Sequence, residues 1–183
     1  MKKLAFLLAL VVLPLGLAAQ NYEVKDGSVV FSSVIEGTGS VEELHSALES
    51  FFALRFNDVN STLKLNQPDR LLYKGLFSNC GSFAMGMWTV DAPYSLEVGI
   101  KEGRVRVKIT LTEAVYRSTG GSAVRFDYRV ALSPPFTAKC SNSSVSKKDC
   151  AAAFAEMEAR CNAWLADVDN LLKTPAASAD DDW

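Results

Sequence analysis

The feature that most restricts this chain is a hairpin. The runs Tyr94–Lys101 and Arg104–Thr112 flank the two-residue turn Glu102-Gly103, and two-residue loops containing glycine are a favoured way to reverse a strand. Pairing Lys101 with Arg104 sets the register. Ile100 then faces Val105, Val98 faces Val107 and Leu96 faces Ile109, all on one side because side chains alternate along a strand. On the other side Glu97 meets Lys108. A slip of one residue would turn the apolar set to water, so turn and pattern demand the same pairing. Such a sheet has one apolar face that another layer must cover.

Two amphipathic stretches supply that layer. Ser40, with Glu43 three residues on, forms a capping box and opens a helix from Val41 to about Phe56. Its apolar stripe is Val41, Leu44, Leu48, Phe51 and Phe52. A longer helix is predicted from about Lys147 to Lys173, where Cys150, Phe154, Met157, Cys161, Trp164, Leu165, Val168, Leu171 and Leu172 lie in one stripe. Strands are predicted at Ser28–Glu36, Ser61–Leu65, Leu71–Phe77 and Val124–Leu132, with a glycine-rich loop at Arg117–Ala123 and a polar loop over residues 136–146. Residues 78–93 read as a bulged strand or a long apolar loop. The order strand, helix, about five strands, helix predicts an α+β domain, β-α-β(4-5)-α. It is a curved antiparallel sheet with two helices packed on one face, the last lying across the concave side.

The ends read differently. Lys2 and Lys3 precede an apolar run from Leu4 to Leu17, and small residues follow at Gly16, Ala18 and Ala19. Residues 1–19 are therefore expected to be a cleavable signal peptide, residues 20–173 one domain, and residues 174–183 a disordered acidic tail ending in Asp180-Asp181-Asp182 and Trp183. The expected destination is the periplasm or beyond. No later run is apolar enough to span a bilayer, so no stable membrane insertion is expected. Loss of Lys2 and Lys3 leaves 17 basic residues of the original 19 against 21 acidic ones. That balance argues against non-specific nucleic-acid binding, which depends on neutralising phosphates.

Export permits disulfides, and the cysteines are Cys80, Cys140, Cys150 and Cys161. Cys150 and Cys161 fall in one predicted helix, roughly 16 Å apart along its axis. A disulfide needs Cα atoms within about 7 Å. If all four pair, the favoured set is Cys140–Cys150 with Cys80–Cys161, and the alternative is Cys80–Cys150 with Cys140–Cys161. A zinc site is not expected, because no close Cys-x-x-Cys pair exists.

The segments VVFSSVIEG, SVEELHSALESFFALRF, DRLLYKGLF and YSLEVGIKEGRVRVKIT resemble a bacterial secreted family classed as a domain of unknown function with a TATA-binding-protein-like (TBP-like) fold. The likeness spans about Val29 to Arg117. It implies a β-α-β(4)-α architecture. It brings no activity, cofactor or catalytic residues, and a fold name by itself implies no DNA binding.

Candidate sites are few. His45, the one histidine, reads as an exposed helical residue with no nucleophile fixed beside it. Gly37-Thr38-Gly39 before a helix is similar to a phosphate loop, but Glu42 and Glu43 would repel phosphate. Arg104, Arg106 and Lys108 alternate along one strand and form a candidate ligand or partner contact for an anionic glycan or lipid head group, with Arg125 and Arg129 as its continuation. A solvated sheet face is the plainer reading. Phe83, Met85, Met87 and Trp88 are the second candidate contact surface, set against one buried strand face. No metal-ligand cluster, nucleophile elbow or dinucleotide fingerprint is present. The expected function is a non-catalytic envelope binding or interaction module without a cofactor, with an envelope protein as partner. The alternatives are a carrier of a small apolar molecule, in a cavity lined by Phe126, Val130, Phe154, Met157 and Trp164, and a hydrolase-type enzyme without a recognisable motif.

Overall fold

The structure, a computed structural model, describes residues 22–56, 58–118, 127–132, 139–140 and 143–173. The expected signal peptide, the acidic tail, Arg125 and Phe126 lie outside the described residues.

The predicted hairpin forms in the predicted register. β5 (Trp88–Lys101) pairs with β6 (Arg104–Leu111), with Lys101 opposite Arg104, Val98 opposite Val107 and Leu96 opposite Ile109. The antiparallel sheet runs β1 (Tyr22–Lys25), β2 (Ser28–Glu36), β6, β5, β4 (Arg70–Phe83), β3 (Leu63–Gln67). The chain breaks at Thr112 and continues as β7 (Glu113–Ser118), which pairs with the first part of β5 and with β8 (Asp127–Ala131). A small separate pair, β9 (Lys139–Cys140) and β10 (Ser143–Ser144), precedes the last helix.

Both helices cover one sheet face. α1 (Val41–Arg55) has the expected capping box: Ser40 Oγ accepts the Glu43 N–H at 3.3 Å, and Glu43 Oε2 accepts the Ser40 N–H at 2.8 Å. Its Leu44, Leu48 and Phe52 are buried. α3 (Lys147–Lys173) has the predicted bounds and buries Cys150, Phe154, Met157, Cys161, Val168 and Leu172. They meet Phe31, Tyr73, Leu96, Val98 and Ile109 of the sheet in one core. Trp164 on α3 joins the layers, with ring contacts of 5.5–5.9 Å to Phe52, Phe56, Phe77 and Tyr94.

Two local expectations change. Ser61 and Thr62 belong to a helical turn, α2 (Val59–Thr62), because Asp58 caps it by accepting the Ser61 N–H at 3.1 Å, which moves β3 toward Gln67. Of the two alternatives for residues 78–93 the bulge holds, but the segment forms two strands and a turn rather than one strand. β4 continues through a bulge between Phe77 and Gly81 to Phe83, and β5 returns from Trp88.

Candidate functional site

The β4–β5 hairpin ends in the turn Ala84–Met87, where the Met87 N–H donates to the Ala84 carbonyl at 3.2 Å. Met85 therefore lies on the turn, not on a strand face. Ala84 and Met85 have φ of 51° and 55° before Gly86 at 82°. Residues with a Cβ carry strain in this region, and glycine or asparagine usually takes such turn positions. Met85 is 98% exposed and Met87 50%. The base beneath them is firm. Phe83 and Trp88 are cross-strand partners whose rings stack at 6.0 Å and 4°, and Phe83 meets Tyr116 edge-on at 5.8 Å. The sequence candidates thus divide: Phe83 and Trp88 are partly buried packing residues, and Met85 and Met87 are the presented apolar surface.

A polar network holds the bulge below this tip. Asn79, with φ of 56°, donates its N–H to Asp91 Oδ1 at 2.8 Å. Asp91 is buried, and its Oδ2 lies 2.8 Å from Arg117 Nε. The Nε–H is not aligned for a hydrogen bond, so this is an ion contact. Arg160 of α3 donates to the carbonyls of Ser78 and Asn79 at 2.7 and 3.4 Å.

The sheet face away from the helices carries Arg104, Arg106 and Lys108, as expected, but the structure separates them. Glu97 takes Arg70 at 3.1 Å and Lys108 at 4.0 Å. Arg104 and Arg106 have no ion-pair partner among the described residues. They border an open notch of about 520 Å³, with Val34, Arg70, Gly99 and Lys101 on its other sides. Arg70, Gly99 and Lys101 were not among the candidate contact residues. Gly99 was legible, since the hairpin register places it opposite Arg106. Arg70 required the β4–β5 pairing. Arg129 does not extend the patch, because β8 places it on Glu113, to which it is ion-paired.

The cysteines depart from expectation. Cys80, Cys150 and Cys161 are buried free thiols, so neither Cys80–Cys161 nor Cys80–Cys150 forms. Their sulfurs have other company. The Cys80 thiol donates to the Phe77 carbonyl at 3.3 Å, and Cys150 Sγ accepts from the Tyr116 hydroxyl at 3.7 Å. Burial pushes Cys161 up to about 12, with the Cys80 thiol adding to the shift. The side chain of Cys140 lies outside the described residues, so Cys140–Cys150 and Cys140–Cys161 do too.

Two further candidates are used structurally. His45 is half-buried and bridges α1 to β3, its Nε2 lying 2.7 Å from Asn66 Oδ1 while Asn66 donates to Glu49 at 2.7 Å. At Gly37–Gly39, the Glu43 carboxylate occupies the start of α1. A Cβ on Gly39 would lie 2.8 Å from Glu43 Oε2. Of the expected apolar cavity, Phe126 lies outside the described residues; among those described, the gap bordered by Tyr116, Val130, Leu132, Phe154 and Met157 amounts to about 10 Å³, no more than one water needs. Among the described residues no group of three metal-ligating side chains occurs, and no helix is long and apolar enough to cross a membrane.

An antiparallel sheet with these two helices on one face is the TBP-like fold. Two solved bacterial structures share it. One is a DUF4468 family protein from Bacteroides ovatus ATCC 8483, with a TM-score of 0.58 and 13% identity, covering 87% of this chain and 94% of that one. The other is a TBP-like protein from Parabacteroides distasonis ATCC 8503, with a TM-score of 0.58 and 14% identity, covering 83% of this chain and 97% of that one. At such identity the likeness concerns the fold. No family profile and no curated protein matches the chain.

Proposed function

We propose that this chain is an exported, non-catalytic interaction module of the bacterial cell envelope, which docks a protein partner through the tip of the β4–β5 hairpin. The carrying observation is Met85, 98% exposed and held at a φ of 55°. A turn selected for stability alone would place glycine or asparagine there. A methionine at that point offers an adaptable apolar contact, on a base made rigid by Phe83, Trp88 and Tyr116. Burying such a side chain in a partner contributes about 2 kcal/mol. Export rests on the leader-like N-terminus.

The carrier alternative requires an interior with space, and among the described residues the helix–sheet interface leaves a gap of only about 10 Å³. Native mass spectrometry of protein purified from its own envelope without detergent separates the two readings. The docking module is expected to fly at its apo mass. A stoichiometric apolar adduct that solvent extraction removes would assign the function to the interior and overturn the proposal.

A further inference from the structure

A second surface lies at the far end of the same strand, about 40 Å from the hairpin tip at roughly 3.3 Å per residue. It is centred on Gly99. This glycine is flanked on both sides in unbroken register, opposite Arg70 of β4 and Arg106 of β6. Glycine in a strand interior weakens it, and usually marks a bulge, a bend, or a place where another group comes close. Here there is no bulge, Gly99 is not among the residues with positive φ, and an added Cβ would meet nothing within 4 Å. Neither backbone geometry nor internal packing asks for glycine. What the missing side chain provides is the notch.

The charges around it point to the occupant. Lys101 stands directly opposite Arg104, and like charges so placed repel. Lys101, Arg104, Arg106 and Arg70 border the notch against the carboxylates of Asp69 and Glu97, and Glu97 is already engaged with Arg70 and Lys108. Glu36 is the β2 neighbour of Arg104, but the two form no ion pair. Two guanidinium forks and an ammonium are therefore left facing water. Guanidinium forks match the paired oxygens of phosphate and carboxylate. The volume of about 520 Å³ has room for a small ligand.

We propose that the notch over Gly99 binds a small ligand through an oxyanion group, with Arg104, Arg106 and Lys101 holding the charge and the bare Gly99 backbone forming the floor. The test is titration of the ¹⁵N-labelled protein with inorganic phosphate and, separately, glucuronate at low ionic strength, with sodium chloride as the control. Saturable shifts at Gly99, Lys101, Arg104 and Arg106 are expected. Response to phosphate alone, to glucuronate alone or to both assigns the group as phosphate, carboxylate or either. Arg106→Gln should weaken binding about tenfold, the loss of one charge-assisted hydrogen bond. Gly99→Val should melt at the same temperature or higher and lose binding, while Leu54→Gln, at a 90% exposed position of α1, should leave it unchanged. Absent or unsaturable shifts, equal shifts with chloride, or full binding by Gly99→Val would overturn the proposal.

Discussion

The Arg160 guanidinium donates to the Ser78 carbonyl at 2.7 Å, and so fastens the long helix to the bulge that carries β4 toward the hairpin tip. Hydrogen bonds from a charged donor contribute about 1.5–3 kcal/mol. The Arg160 side chain is 32% exposed, which places this tie at the low end. Arg160→Met is expected to lower stability by about 1–2 kcal/mol in urea unfolding and to speed amide exchange over Asn79–Phe83. Unchanged exchange there would show that the bulge does not depend on the helix.

Asp91, buried, and Arg117, 29% exposed, form the ion contact of the same region. Removing Asp91 leaves the partly exposed Arg117 without its partner, at a cost of about 1–3 kcal/mol. Asp91→Ala should approach the upper end of that range, because the Asn79 N–H also loses its acceptor. The double variant Asp91→Leu/Arg117→Met should recover more than half of it. Additive losses in a double-mutant cycle would deny the coupling.

Gly75 is required by its neighbour. A Cβ at that position would lie 2.3 Å from the Tyr94 hydroxyl and 2.5 Å from its Cζ, and Tyr94 is itself stacked on Phe77 at 4.3 Å. Gly75→Ala should cost about 1–3 kcal/mol through overpacking. In a Tyr94→Leu background the same change should cost much less. Equal penalties in both backgrounds would place the strain elsewhere.

Alkali should loosen the reduced protein through its buried thiols and phenols. Burial raises Cys80 from 9.0 to about 11, against the opposing pull of Arg160, and Cys161 to about 12. Burial likewise raises Tyr73 and Tyr94 from 10.0 to about 12. These groups hold their protons longer folded than unfolded, so their contribution is complete below pH 9.0 and is lost as pH rises toward 11–12. The urea midpoint should fall above about pH 9, and Cys161→Ala should flatten that fall. The same slope in the variant would exclude Cys161 as a source.

The sequence made the sheet centre and both helices legible because several local signals agreed there. Glu102-Gly103, the alternation around it and the Glu97–Lys108 pair all required one register, and Ser40 with Glu43 fixed the start of α1. Residues 78–93 were ambiguous for a physical reason. Ala84 and Met85 adopt positive φ without being glycine or asparagine, so the first half of the turn lacks its usual markers. The basic face was legible as alternation along β6. Which of its members stay unneutralised depended on Arg70 and Glu97 meeting across β4 and β5. The disulfide expectation rested on export, an even cysteine count and helix spacing, none of which reveals the Phe77 carbonyl and Tyr116 hydroxyl that engage Cys80 and Cys150.

The role of the hairpin tip is tested most directly by placing a photo-crosslinking amino acid at residue 85, and for comparison at Leu54, which is 90% exposed on α1. The protein is then irradiated in its own envelope. One discrete protein adduct is expected from position 85, lost with Met87→Lys and absent from position 54. No adduct from position 85, or the same products from both positions, would contradict that role.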